Sequence, residues 1–335
     1  MKFEKQIKAG NELRSARKLR SGRRVSGVQL TFAITILILG GAALGQALYK
    51  YQDENGDWIY TDRPPSDDQT AEIRDLPTGA KPPVVTVTTR RVDNQFQFVA
   101  RNDYYAPVEV VLGLDELINV QYPAADQVMR WLVDPRSEFE LITLPVIGDD
   151  QEPSARFRFV YLHGDPRSRH NPPRPYRAPF AVANDYSITQ AFPLGVTHNT
   201  VDSRYAVDIA MPVGTDIHAA RRGVVFEVAS TNFRGGIDPE RDAAHANIVR
   251  ILHDDGTHAV YAHLNWNTIR VKPGDTVERG EYIADSGNTG FSSGPHLHFA
   301  VLQNVGMRME SVPIVFEGPN SLEIPPATGK TLTAY

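Results

Sequence analysis

The sequence predicts an all-β protein: an N-terminal signal or anchor helix, a β-sandwich-like middle domain and a C-terminal β-rich domain with its own turn grammar. Three observations carry this. Between residues 84 and 165, short runs such as VVTVTT, QFQFVA, VEVVL, FELITL and ARFRFVYL alternate apolar and polar positions, as half-buried strands do. Later, VKPGDTVERGEYIADSG sets Val271, Gly274, Val277, Gly280 and Ile283 three apart, a period of neither helix nor extended strand. It describes short strands broken by glycine turns, with an apolar residue facing inward at each corner. At the start, a basic stretch precedes the uncharged run VQLTFAITILILGGAALG.

Taken in order, residues 1–45 hold nine Lys/Arg against two Asp/Glu. They are strongly cationic, while the whole 335-residue chain has a net charge of −5. The run Val28–Leu44 is just long enough to cross a bilayer, and it ends in small residues. It reads as a signal peptide or a signal anchor, placing the chain beyond about residue 46 in the periplasm or cell envelope. A retained anchor would make the inner membrane a partner. The mild overall charge asks for no polyanion, so no nucleic-acid partner is expected.

Residues 46–80 read as a small β-hairpin module, with YKYQ and WIYT joined by the turn-former DENG. Residues 47–66 resemble a small module of unknown function found near the start of mature bacterial envelope proteins. Residues 83–166 read as the sandwich, of immunoglobulin-like type. Nothing in it suggests catalysis, and a partner protein in the envelope is the use expected of it. The Pro- and Arg-rich stretch at 167–185 reads as an extended linker, with His163 and His170 as surface residues at its edge. Residues 186–318 form the C-terminal domain, for which the glycine grammar predicts a β-barrel-sandwich, and 319–335 a tail.

The chain has no cysteine, which excludes disulfides, iron–sulfur clusters and thiolate zinc sites. Any metal must be held by His, Asp or Glu. His296 and His298 flank Leu297 in the strand-like PHLHFAV, so both imidazoles enter one cavity while Leu297 and Phe299 face away. In THAVYAHLNW the same alternation puts Tyr261 and His263 on one face. Asp208 stands among Ala206, Val207, Ile209 and Ala210, where a carboxylate is costly unless paired or on a metal. SGNTGFSSG supplies a glycine-rich lead-in that lets backbone approach a substrate.

The stretches YAVDIAMPVGT, AARRGVV, ILHDDGTHAVYAHL and VKPGDTVERGEYIADSGNTGFSSGPHLHF together resemble the LytM/lysostaphin-type family of zinc peptidoglycan endopeptidases, over roughly residues 186–303. The resemblance implies a zinc metallopeptidase domain acting on peptide stems or cross-links of peptidoglycan, with Zn2+ as cofactor. It implies Asp208 and His298 as zinc ligands, and His263 and His296 as catalytic. The family's commonest first motif is H-x-x-x-D, and here Arg204 stands where its histidine belongs. A guanidinium has donors only and cannot ligate. His198 is the substitute in this segment, a loop ligand folding back to join Asp208.

A rival reading is a catalytically inactive relative that regulates other cell-wall hydrolases, whose signature is missing ligands. It turns on whether His198 completes the set. A biotinyl or lipoyl carrier would need a lysine between Val277 and Gly294, and none is there. A purely structural glycan binder leaves the His/Asp cluster unexplained. His218 and His253 read as structural and His258 as an edge of the groove. His245 falls in a long inserted loop able to wall it.

Overall fold

The computed structural model describes residues 47–52, 58–61, 72–75, 83–122 and 129–335. The expected signal or anchor segment at 1–45 lies outside the described residues. Among the described residues, no helix is long and apolar enough to cross a membrane. The chain divides into two units, Met1–Thr78 and Gly79–Tyr335.

In the first unit, β1 (Ala47–Gln52) pairs antiparallel with β2 (Trp58–Thr61) and, on its other edge, with β3 (Glu72–Asp75). The β1–β2 pairing is the expected hairpin, and β3 widens it to three strands.

In the second unit, β4 (Val85–Val92), β5 (Gln95–Asn102) and β8 (Ser137–Pro145) form one antiparallel sheet. A second contains β6 (Val108–Ile118), β7 (Met129–Val133) and β9 (Ser154–His163). Alternation does its expected work: Val85 and Val87 are buried while Thr86 and Thr88 are exposed. The two sheets share one core. Phe98 is fully buried there, edge-to-face with Phe96 and Phe157 at 5.4 Å each. Burying such a ring contributes roughly 1.5–3 kcal/mol.

The remaining elements are β10 (Asp185–Gln190), β11 (Val207–Ala210), β12 (Asp216–His218), β13 (Gly223–Ala229), β14 (Gly235–Gly236), α1 (Pro239–Asp242), β15 (Ile248–Leu252), β16 (His258–Ala262), β17 (Thr276–Val277), β18 (Tyr282–Asp285), β19 (Gly290–Phe291), β20 (His296–Asn304), β21 (Met309–Ser311), β22 (Phe316–Glu317), β23 (Glu323–Ile324) and β24 (Thr331–Thr333). The principal sheet runs β17-β13-β15-β16-β20-β11-β10-β24, with β21 on the end of β20. One face carries the core, including Ile209, Tyr261, Leu297 and Phe299. Its glycine-turn region folds as its spacing implies. Gly274 and Gly280 take φ of +99° and +90°, and Val271, Val277 and Ile283 are buried.

Three expectations are corrected. Residues 167–185 are no free linker: Tyr176, Ala178 and Phe180 are buried, and the Tyr176 N–H donates to the Val315 carbonyl at 2.9 Å. The prolines hid apolar side chains spaced for burial in an irregular segment. Residues 319–335 are no tail, because β24 pairs with β10 and buries Leu332 and Ala334. His163 and His170 are half-buried rather than free on the surface. The His163 ring lies 4.3 Å from Tyr104 and 5.3 Å from Phe226, where the two-sheet core meets the principal sheet. His170 stacks on Tyr176 and has its Nε2 3.2 Å from that phenol oxygen.

Candidate metal centre

The site is built on one row across the principal sheet. Asp208 on β11 is the direct antiparallel partner of His298 on β20, and Gln190 on β10 is the partner of Asp208. Partners in an antiparallel pair project to the same face. That face lies opposite Leu297 and Phe299, so the two imidazoles of β20 open away from the core as expected.

Asp208 is 4% exposed, and its Oδ1 accepts from His298 Nδ1 at 2.8 Å. His198, also buried, arrives on the loop after β10, with Nε2 3.2 Å from the same oxygen. That approach is off the line a hydrogen bond needs, and neither ring nitrogen of His198 has a hydrogen-bond partner among the described residues. The loop folds this closely because residue 195 is glycine: a Cβ there would meet His198 Cβ at 2.8 Å. Arg204 is exposed.

Burial pulls the Asp208 carboxyl upward, but the His198 and His298 imidazoles more than offset it and hold the group well below the usual carboxylate range. The donor atoms of His198, Asp208 and His298 all lie within 4.8 Å of one another. Ligand bonds of ~2.0–2.1 Å around a tetrahedral ion put neighbouring donors about 3.3 Å apart, close to the contacts seen here. The unpartnered Nε2 of His198, 3.2 Å from a buried carboxylate oxygen, is what such an ion would satisfy. The donor set fits a metal.

Two further histidines border the cluster. His296 Nδ1 is 2.8 Å from the Gly294 carbonyl, and His263 Nδ1 is 2.7 Å from the Thr289 carbonyl. A carbonyl only accepts, so each Nδ1 carries a hydrogen and each Nε2 is the nitrogen left for the site. The rings lie 4.6 Å apart, and His296 Nε2 is 3.8 Å from Asp208 Oδ1. Burial, helped by the neighbouring His296 and His298, pushes His263 down to about 4.

The placement of His263 corrects the alternation argument. Tyr261 points into the core, where its hydroxyl accepts from the Ala220 N–H at 2.7 Å. His263 follows the end of β16 with φ of +62°, a left-handed backbone uncommon outside glycine. That turn carries its ring to the His296 side.

Sequence reasoning missed Gln190. Its Nε2 donates to Asp208 Oδ2 at 2.6 Å, while its Oε1 accepts from Val196 N at 2.7 Å and Thr197 N at 2.9 Å. One amide thus ties the carboxylate to the loop that carries His198. Alternation from the buried Ile188 would put Gln190 on the core side. A bulge between the two strands reverses the parity, a signal absent from composition and spacing.

These residues line a groove of about 530 Å3. Ile237 and Ala243 of the inserted loop wall it, anchored by the parallel β14–β19 pairing and by α1, whose N-cap Asp238 accepts from Glu240 N and Arg241 N. His258 does not edge the groove; it is buried, with Phe226 5.2 Å away. A second cleft of about 500 Å3 shares no residue with the groove, and its arginines Arg221, Arg222 and Arg279 are paired with Asp254 and Asp255, with Glu278 and with Glu317.

Residues 202–309 match the sequence profile of Peptidase family M23. This segment is an M23 peptidase domain. Residues 36–88 match a domain of unknown function (DUF4124). The M23 match contains Asp208, His263, His296 and His298 and begins after His198. The chain is 37% identical over 114 residues to the glycyl-glycine endopeptidase ALE-1 of Staphylococcus capitis, covering 34% of this chain and 27% of that protein. It is 37% identical over 95 residues to the peptidoglycan DD-endopeptidase ShyA of Vibrio cholerae serotype O1, covering 28% and 19%. It therefore spans under a third of the length of these relatives. The structure of lysostaphin from Staphylococcus simulans aligns over 36% of this chain and 43% of that one, at 31% identity and a TM-score of 0.28.

Proposed function

We propose that this chain is a zinc-dependent metalloendopeptidase that hydrolyses peptide bonds of peptidoglycan stems or cross-links in the periplasm or cell envelope. The observation that carries the reading is the convergence of His198, Asp208 and His298 beside two histidines whose Nδ1 atoms donate to backbone carbonyls. The M23 domain and the peptidoglycan-directed relatives support the substrate class. The cationic head and apolar run support export, and the two-sheet domain at 83–166 is proposed to hold the catalytic domain against an envelope partner.

His198, Asp208 and His298 would hold the zinc, which when bound supplies Lewis acidity: it polarises a carbonyl and acidifies water. The protein's own groups do the rest. Asp208 stays ionised, and Gln190 fixes which oxygen faces the histidines. His263, kept neutral by burial and with its Nδ1 donating to a carbonyl, offers Nε2 to take a proton from the attacking water, and His296, with its Nδ1 on the Gly294 carbonyl, presents its Nε2 beside it. Once protonated, each can donate to the oxyanion or the leaving amine.

His198 also supports an enzyme over an inactive regulator, because it supplies the ligand the Arg204 motif lacks. The test is zinc content and digestion of purified peptidoglycan, with products weighed by mass spectrometry, for wild type and His198→Ala. We expect about one zinc per wild-type chain and loss of metal and turnover together in the variant. A metal-free, inactive wild type would refute the reading.

A further inference from the structure

The groove does not end at the histidines. From His298 the same sheet face continues through Ala300 and Val260 to Arg250 on β15, in the row Ala300–Val260–Arg250–Glu227. The floor between is apolar, formed by Val260, Ala262, Ala300 and Leu302. Two strand spacings and two residues separate Arg250 from His298, about 12 Å, or the reach of three to four extended peptide residues.

Arg250 is a charge that meets its counter-charge, Glu227, without a well-aligned hydrogen bond. It lines the groove, whereas Glu227 does not. Arg250 Nε lies 3.2 Å from Glu227 Oε2, yet neither atom has a hydrogen-bond partner among the described residues. A bulge between β13 and β15 sets Glu227 directly opposite Arg250. Leu252, two residues along β15, packs against the two-sheet core, so this end of β15 lies against the two-sheet domain. A guanidinium carries five donors in a planar fork suited to a carboxylate. Here a counter-charge steadies it and it faces an apolar floor.

We propose that Arg250 is a specificity-determining residue that receives a carboxylate of the peptide substrate three to four residues from the scissile bond. The groove therefore selects acidic peptides. This rests on the peptidase reading and deepens it. Glu227 orients the guanidinium without touching substrate.

The test uses the full chain and a cross-linked peptidoglycan stem-peptide dimer, with its carboxyls free or converted to carboxamides. Wild type should show at least a tenfold higher KM for the amidated dimer, with kcat within about twofold. The double variant Arg250→Gln/Glu227→Gln, which strands no charge, should show that raised KM for both forms. Arg250→Lys, which keeps charge but loses the fork, should fall between. The proposal is overturned if wild type treats the two dimers alike, or if the double variant still discriminates. Calorimetric binding of the same dimers needs no turnover. If neither dimer is cut, the peptidase reading fails, while tighter binding of the free acid by wild type alone still supports Arg250 and equal binding overturns it.

Discussion

Gln190→Leu removes the hydrogen bond to the buried Asp208 Oδ2 while nearly keeping side-chain volume. The wild-type contact is a 2.6 Å bond from an amide N–H to a carboxylate, inside a groove. Hydrogen bonds to charged groups contribute about 1.5–3 kcal/mol, and an oxygen left unsatisfied forfeits that amount. The variant also frees the Val196 and Thr197 N–H groups, but both residues are exposed and water replaces the lost acceptor at small cost. The loss therefore concentrates on the carboxylate and on the loop carrying His198. At ~1.4 kcal/mol per tenfold, zinc affinity should fall roughly 10- to 100-fold, within the range set by outer-shell partners of metal ligands. Competition titration against a chelator of known affinity measures this, with thermal unfolding of the metal-free proteins run beside it. An affinity within twofold of wild type would show that Gln190 neither orients Asp208 nor holds the loop.

Substitution at His263 separates backbone from chemistry. Asn tolerates the left-handed φ of +62° better than Ala, so His263→Asn should unfold nearer to wild type than His263→Ala in urea, while both lose hydrolysis by at least about 100-fold. Equal activity in either variant would remove His263 from the reaction. Stability should also fall in mild acid. Burial is the main cause that pushes His163 and His253 down to about 4, and it also holds His258 well below its usual value. The unfolded chain, with histidines near 6.5, then binds more protons than the folded one between those values. Stability is fully present above pH 6.5 and is lost as pH falls toward 4, by up to about 1.4 kcal/mol per unit for each group. Asp255, depressed to about 2 against the pull of burial by Thr257 and Arg221, adds a further loss below pH 4. Urea midpoints at pH 7.5, 5.5 and 4.5 check this, and a flat profile would mean these histidines are protonated in the fold.

Much of the site was legible because strand parity is local. His296 and His298 share a face through their i, i+2 spacing, and Asp208 betrayed itself as a charge in an apolar strand. The failures lie where a local rule is interrupted. The parity of Gln190 reverses at a bulge, and His263 leaves the face of Tyr261 through a left-handed turn just past the strand. The segment 167–185 and the last strand carry no period, so only packing reveals that Tyr176, Phe180 and Leu332 are core residues.

By itself, the sequence determined the β architecture, the exclusion of thiolate chemistry and the donors available to a metal. Those come from composition and from periods of two and three residues, each set by neighbours along the chain. Only the tertiary structure decided that His198 reaches Asp208, that Gln190 joins them and that Arg250 shares their groove. These contacts depend on strand register, on one bulge and on the close fold of a loop around Gly195. The first was an expectation that needed the fold to realise it; the places of Gln190 and Arg250 are encoded in no window of sequence short enough to read.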